Sequence, residues 1–120
     1  MSKSHRHIGN DAEDLACKFL RQKNWEILDR NYYSGHSEID IIAKDGLITV
    51  FLEVKMRSST QFGKPFEQVT EAKVEHIFRA AEAWAIEHGL EESPMRFDVI
   101  GILKRKGKKT EINHIHDAFR

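Results

Sequence analysis

A chain of 120 residues, 40% apolar and 32% charged, has the length of one domain and no stretch fit to span a membrane. Its longest apolar runs, Leu47–Leu52 and Val99–Leu103, fall far short of the ~20 residues a spanning helix needs. Lys plus Arg and Asp plus Glu both number 19, so bulk charge does not announce a nucleic-acid partner; one must be argued from a local site.

The one cysteine, Cys17, excludes an internal disulfide and a cysteine-cluster zinc site, and it fits a reducing compartment. No apolar segment follows the basic residues of Met1–His7, so no secretory signal is read there and the expected location is the cytoplasm. Residues 1–8 read as a polar tail, and 9–120 as a single domain.

Taken in chain order, the first helix starts at Asn10. Ala12, Leu15, Ala16, Phe19 and Leu20 form one apolar stripe, with Asn10 and Glu13 as a capping box. Trp25–Tyr33 suits a strand, Ser34-Gly35 a turn, and Glu38–Lys44 with Leu47–Met56 a hairpin about Asp45-Gly46. Arg57–Phe66 is a loop. A long helix spans Glu67–His88, with Val74, Ile77, Phe78, Ala81, Trp84 and Ala85 on its buried stripe and Gly89 as its stop. Strands at Arg96–Leu103 and Glu111–His116 flank a basic turn. The order α-β-β-β-α-β-β predicts an α/β protein, a mixed sheet with helices packed on it.

The hairpin is the informative element. With Asp45-Gly46 as a two-residue turn, Lys44 faces Leu47. One face then carries Ile39, Ile41, Ala43, Ile48, Val50, Leu52, Val54 and Met56, all apolar and expected against a helix. The other carries Glu38, Asp40, Ile42, Thr49, Phe51, Glu53 and Lys55. In this register Glu38 stands directly across from Glu53, with Asp40 diagonal to it. Like charges so placed destabilise a sheet and call for a cation, a proton or a neighbouring lysine. Lys55 is the internal candidate.

Carboxylates converging beside one lysine suit metal-assisted phosphodiester hydrolysis. Mg²⁺ takes hard oxygen ligands and is often held by one or two carboxylates plus substrate phosphate. It polarises a phosphoryl oxygen and activates water, while a lysine can orient that water or neutralise developing charge. The plain alternative is a solvated, ion-paired strand end. Three acids and a lysine sharing a face whose reverse is wholly apolar favour a site.

Ser37-Glu38-Ile39-Asp40-Ile41-Ile42-Ala43 followed by Phe51-Leu52-Glu53-Val54-Lys55-Met56-Arg57 resembles the PD-(D/E)XK nuclease signature, and most closely the YraN-like bacterial family. The likeness extends to Glu13-Asp14-Leu15-Ala16, Ile27–Asn31, Arg96–Ile100, His114-Ile115 and Ala118-Phe119. It implies a restriction-endonuclease-like fold similar to Holliday junction resolvases. By position it implies Asp40 and Glu53 as ligands of Mg²⁺ or Mn²⁺, with the Val54 carbonyl a further one, and Lys55 as the catalytic lysine. Glu13 matches the acid that the first helix brings to the metal, and Glu38 supports the site. The implied substrate is DNA, branched or processed DNA included, cut by a homodimer without membrane association. Ser37 and Ala12 stand where the family has Gly, and Ile39 where the broad signature has Pro; these leave the acids and the lysine in place.

Other candidates divide between function and plain structure. Glu13 is fully accounted for by a capping box, so its two roles weigh evenly. Arg57, Lys64 and Lys73 are the better placed phosphate contacts. Lys104, Arg105, Lys106, Lys108 and Lys109 read as a solvated loop. His114 and His116 share a strand face without an identifiable third ligand. Cys17 lies off the helix stripe with no paired histidine, and Trp84 reads as core. Two further classes stay open: a catalytically inactive nucleic-acid-binding module of the same fold, and a subunit whose site a partner completes.

Overall fold

Apolar residues at helical spacing form α1 (Asp11–Gln22), which buries Ala16, Cys17 and Leu20. It ends where Asn24 takes a φ of 68°. The Trp25 and Asn24 N–H groups then donate to the Leu20 and Arg21 carbonyls at 3.1 and 3.0 Å, closing the last turn. The second helix, α2 (Glu71–Glu87), ends the same way at Gly89, as the sequence predicts. Between and after them lie β1 (Glu26–Ser34), β2 (Ser37–Asp45), β3 (Ile48–Arg57), β4 (Met95–Leu103) and β5 (Glu111–Ile115), in the expected α-β-β-β-α-β-β order. This computed structural model describes residues 11–58 and 71–119. The 1–8 tail, the Asn10 cap, Lys64 with most of its loop, and the helical turn expected at 67–70 lie outside the described residues.

The five strands form one sheet in the order β1-β2-β3-β4-β5, antiparallel except for the β3–β4 pair, which α2 connects in parallel. β3 is central and buried from Thr49 to Glu53, so its run of apolar residues is covered on both faces. On one face α1 packs Ala16, Cys17 and Leu20 against Ile41, Ala43, Val50, Leu52, Ile100 and Ile102. On the other, α2 packs Ala80, Ala81, Trp84 and Ala85 against Ile39, Ile42 and Phe51. Ala80 joins the expected stripe, while Val74 and Phe78 are only half-buried. Among the described residues no helix is long and apolar enough to cross a membrane.

The hairpin register differs from the expected one. Asp45 pairs with Ile48, so Gly46-Leu47 forms the turn, not Asp45-Gly46. Gly46 alone takes a positive φ, 62°, as in turns with glycine at the first central position. Asp45 is thereby spared the left-handed conformation that an Asp-Gly turn would impose on it. Shifting the turn by one residue moves every opposing pair by two. Side chains keep their parity, but the ladder ends at Ile41–Leu52, one step short of Asp40 and Glu53. Glu38 instead pairs with Tyr33 of β1.

The uniformly apolar face also needs correction. Ile41 and Ala43 join the α1 cluster, but Ile39 joins the α2 cluster, so β2 exchanges faces at Asp40. Met56, expected to be buried, is 42% exposed near the end of β3.

Candidate carboxylate and lysine site

The exchange of faces at Asp40 is what brings acids from both sides of the sheet together. Pairing of β2 with β3 runs from Asp45–Ile48 to Ile41–Leu52. At the next step the Val54 N–H donates to Asp40 Oδ2 at 2.8 Å, so a side chain takes over from the backbone ladder. Glu53, buried in the central strand, turns toward α2. Lys73 Nζ lies 2.9 Å from its Oε1, and Lys55 Nζ lies 3.9 Å from the same oxygen.

From the other side α1 supplies Glu13. One carboxylate oxygen each of Glu13, Glu38 and Asp40 lie within 4.8 Å of one another. Glu13 Oε1 is buried without a hydrogen bond, with Arg30 Nη2 3.6 Å away. That guanidinium is committed more closely to Asp14 Oδ1, at 2.8 Å. Asn31 also bonds Glu13. It lies between the Arg30–Ile41 and Tyr32–Ile39 pairs, thus beside Asp40, and holds a left-handed φ of 53° in mid-strand. A non-glycine residue in that region stores strain that its surroundings must sustain.

The electrostatics follow from crowding. Burial, and next the Glu53 charge, push the Asp40 carboxyl up to about 8, against the pull of the Val54 hydrogen bond. Burial also raises Glu13, with Arg30 opposing. Lys55 is lowered, first by burial and then by its ammonium neighbour Lys73. For Lys73 burial acts downward, but its bond to Glu53 outweighs this and raises it. Glu38, Asp40 and Glu53 open on a cleft of about 640 Å³ that Lys55, Lys73, His36 and His76 also line.

The residues present fit a hard divalent cation. All the acidic donors are carboxylate oxygens, one buried oxygen of Glu13 lacks a hydrogen bond, and burial together with the Glu53 charge raises the Asp40 carboxyl to about 8. Such a cation would relieve both conditions. The expected ligand pair, Asp40 and Glu53, is adjacent in register, but the close carboxylate trio is Glu13, Glu38 and Asp40, with Glu53 engaged by lysines. Arg30, Asn31, His36 and His76 were not found as site residues by sequence reasoning. They arrive by tertiary packing, and only the resemblance, which includes Arg30 and Asn31, touches any of them.

Outside this cluster, Arg57 ends β3, and its carbonyl accepts the Lys104 N–H at 2.9 Å. In the basic turn Arg105 pairs with Glu111, and Lys104, Lys106, Lys108 and Lys109 are exposed. The neighbour missing for His114 and His116 is Asp98. Its oxygens, however, already accept from Arg96 Nε and Nη2 at 3.0 and 2.9 Å, His114 Nε2 at 2.8 Å and the Asp117 N–H at 2.8 Å. Those bonds overcome the opposing effect of burial and hold Asp98 down at about 2. With every lone-pair direction of the carboxylate filled by protein donors, this trio is a structural lock. Cys17, expected off the stripe, is buried in the α1 cluster, and burial raises its thiol, as suits an inert core residue. Trp84 is core, as expected.

The profile of the Uncharacterised protein family UPF0102 matches residues 12–102, a span that includes Glu13, Glu38, Asp40, Glu53, Lys55 and Lys73. A UPF0102 protein of Geotalea daltonii is 42% identical over 115 residues, covering 96% of this chain and 91% of the relative. One of Rhodococcus jostii is 40% identical over 112 residues, 93% and 95% of the two chains. One of Caldicellulosiruptor saccharolyticus is 40% identical over 115 residues, 95% and 98%. With likeness of this degree along nearly the full length of both chains, the protein belongs to the UPF0102 family.

Proposed function

We propose that the protein is a divalent-metal-dependent nuclease of restriction-endonuclease-like fold that hydrolyses phosphodiester bonds in DNA, with branched or processed DNA as its substrate. The observation that carries this reading is the Asp40 carboxyl, set across from Glu53 and beside Glu13 and Glu38, with Lys55 on the same strand as Glu53. Bound Mg²⁺ or Mn²⁺ would polarise a phosphoryl oxygen and lower the pKa of a water. Asp40, Glu53 and the Val54 carbonyl would hold it, with Glu13 and Glu38 in support. Lys55, lowered by burial and by Lys73, orients the attacking water and faces the charge that builds on the phosphate. Arg57, Lys64 and Lys73 contact neighbouring phosphates. Cutting both strands of a junction needs two such sites, hence a homodimer, working in the cytoplasm.

One observation favours a second reading. Lys73 and Lys55 already neutralise Glu53, as in a nucleic-acid-binding module without turnover or a subunit completed by a partner. Labelled linear, flapped and four-way-junction DNA, incubated with Mg²⁺ or Mn²⁺, separates the two. The nuclease cuts at least one of these, and Lys55→Ala abolishes cutting while remaining folded. Binding that survives chelator, with no cleavage at any metal concentration, supports the second reading; cleavage that persists in Lys55→Ala removes the assignment of that lysine.

A further inference from the structure

Lys73 belongs to a different element from the acid it touches. It projects from the first described turn of α2, while Glu53, Lys55 and Asp40 are fixed in the sheet. Its Nζ lies 2.9 Å from Glu53 Oε1, closer than the 3.9 Å of Lys55, yet its side chain is 40% exposed where that of Glu53 is 5%. A nearly buried carboxylate thus has its charge matched by a long side chain that reaches it from the rim of the cleft. The same oxygen cannot be fully engaged by two ammonium groups and a divalent cation together, since like charges in so small a space repel. Lys55 shares its strand with Glu53, whereas Lys73 comes from α2 and is the more exposed of the two, and the cleft that both line also carries His76, one helical turn on from Lys73.

We propose that Lys73 is the resident counterion of this site. It neutralises Glu53 in the metal-free protein, gives up that oxygen when a divalent cation binds, and then pairs with a phosphate of the incoming nucleic acid. Metal and nucleic acid therefore bind cooperatively through one lysine: the cation frees the ammonium, and the phosphate keeps it from returning. The exchange rests on the metal-site reading above. It adds to that reading a competition and a coupling, which a phosphate contact alone would not produce.

The test is Mn²⁺ titration of the full chain by calorimetry, with and without a DNA duplex, for wild type, Lys73→Met and Lys73→Arg. Without DNA, Lys73→Met binds Mn²⁺ about fivefold more tightly than wild type, the effect of removing an ion pair of about 1 kcal/mol. Lys73→Arg keeps the competing charge and stays near wild type. With Ca²⁺ as the cation, wild type gains affinity for the duplex and Lys73→Met gains less. Equal or weaker Mn²⁺ binding by Lys73→Met, in a protein whose Mn²⁺ binding is lost in Asp40→Asn, overturns the exchange and leaves the metal site standing. Absence of Mn²⁺ binding in all three folded proteins overturns both.

Discussion

Asp40 Oδ2 accepts the Val54 N–H at 2.8 Å, one step beyond the last backbone pairing of β2 with β3. The same carboxyl that is proposed to meet a cation therefore also closes the end of the ladder. Asp40→Asn keeps an acceptor for Val54 and removes only the charge, which burial and Glu53 already hold off at neutral pH. Its Tm at pH 7 is expected within about 2 °C of wild type, whereas Asp40→Ala, which leaves the N–H unpaired, loses about 1 kcal/mol. Thermal denaturation of both variants checks this; equal losses would mean that the hydrogen bond contributes nothing.

Asn31 holds a φ of 53° beside Asp40 and bonds Glu13. Asn31→Gly relieves the backbone and Asn31→Val aggravates it, so the valine variant is expected to be less stable than the glycine variant by about 1–2 kcal/mol. Urea unfolding of the pair decides it. Indistinguishable midpoints would show that the left-handed turn is not held in solution.

Asp29 anchors the α2 face of the sheet through its side chain. Its Oδ2 accepts the indole N–H of buried Trp84 at 3.1 Å. Asp29→Ala leaves that N–H buried and unpaired, an expected cost of about 1–3 kcal/mol. A denaturation midpoint unchanged from wild type would contradict the placement of this bond.

Asp98 ties β4 to β5 and has its carboxyl held down at about 2 by His114, Arg96 and the Asp117 N–H, against the effect of burial. A folded-state value below the unfolded one adds stability above the unfolded pKa, and that stability is lost as pH falls toward the folded value. The affected window is about pH 4 to 2, and the contribution about 2 kcal/mol. Asp98→Asn is expected to be less stable at pH 6 and to show a shallower loss on acidification. Parallel curves for the two proteins would contradict it.

The element order was legible because each element carries its own period: the Ala12–Leu20 stripe, the alternation of the hairpin, and Gly89 as a stop. The side of the sheet on which Glu53 and Lys55 lie was legible from parity alone. The approach of Asp40, rather than Glu38, to Glu53 was not. It depends on which residue of Asp45-Gly46-Leu47 takes the positive φ, and the Asp-Gly composition pointed to the wrong two-residue turn. Nor was the change of faces at Asp40 legible, since the departure of Ile39 to the α2 cluster is a tertiary event. Arg30 and Asn31 carry no local pattern that marks them as neighbours of Glu13; α1 packing on the sheet puts them there.

A divalent-cation site formed by the acids around Asp40 is what the proposed chemistry requires. Mn²⁺ binding to the metal-free protein, followed by electron paramagnetic resonance of the free ion, tests it with wild type, Asp40→Asn and Glu53→Gln. Wild type is expected to bind saturably, and each folded variant to lose binding or weaken it at least about tenfold. Binding equal in all three would place the ion elsewhere and contradict the site.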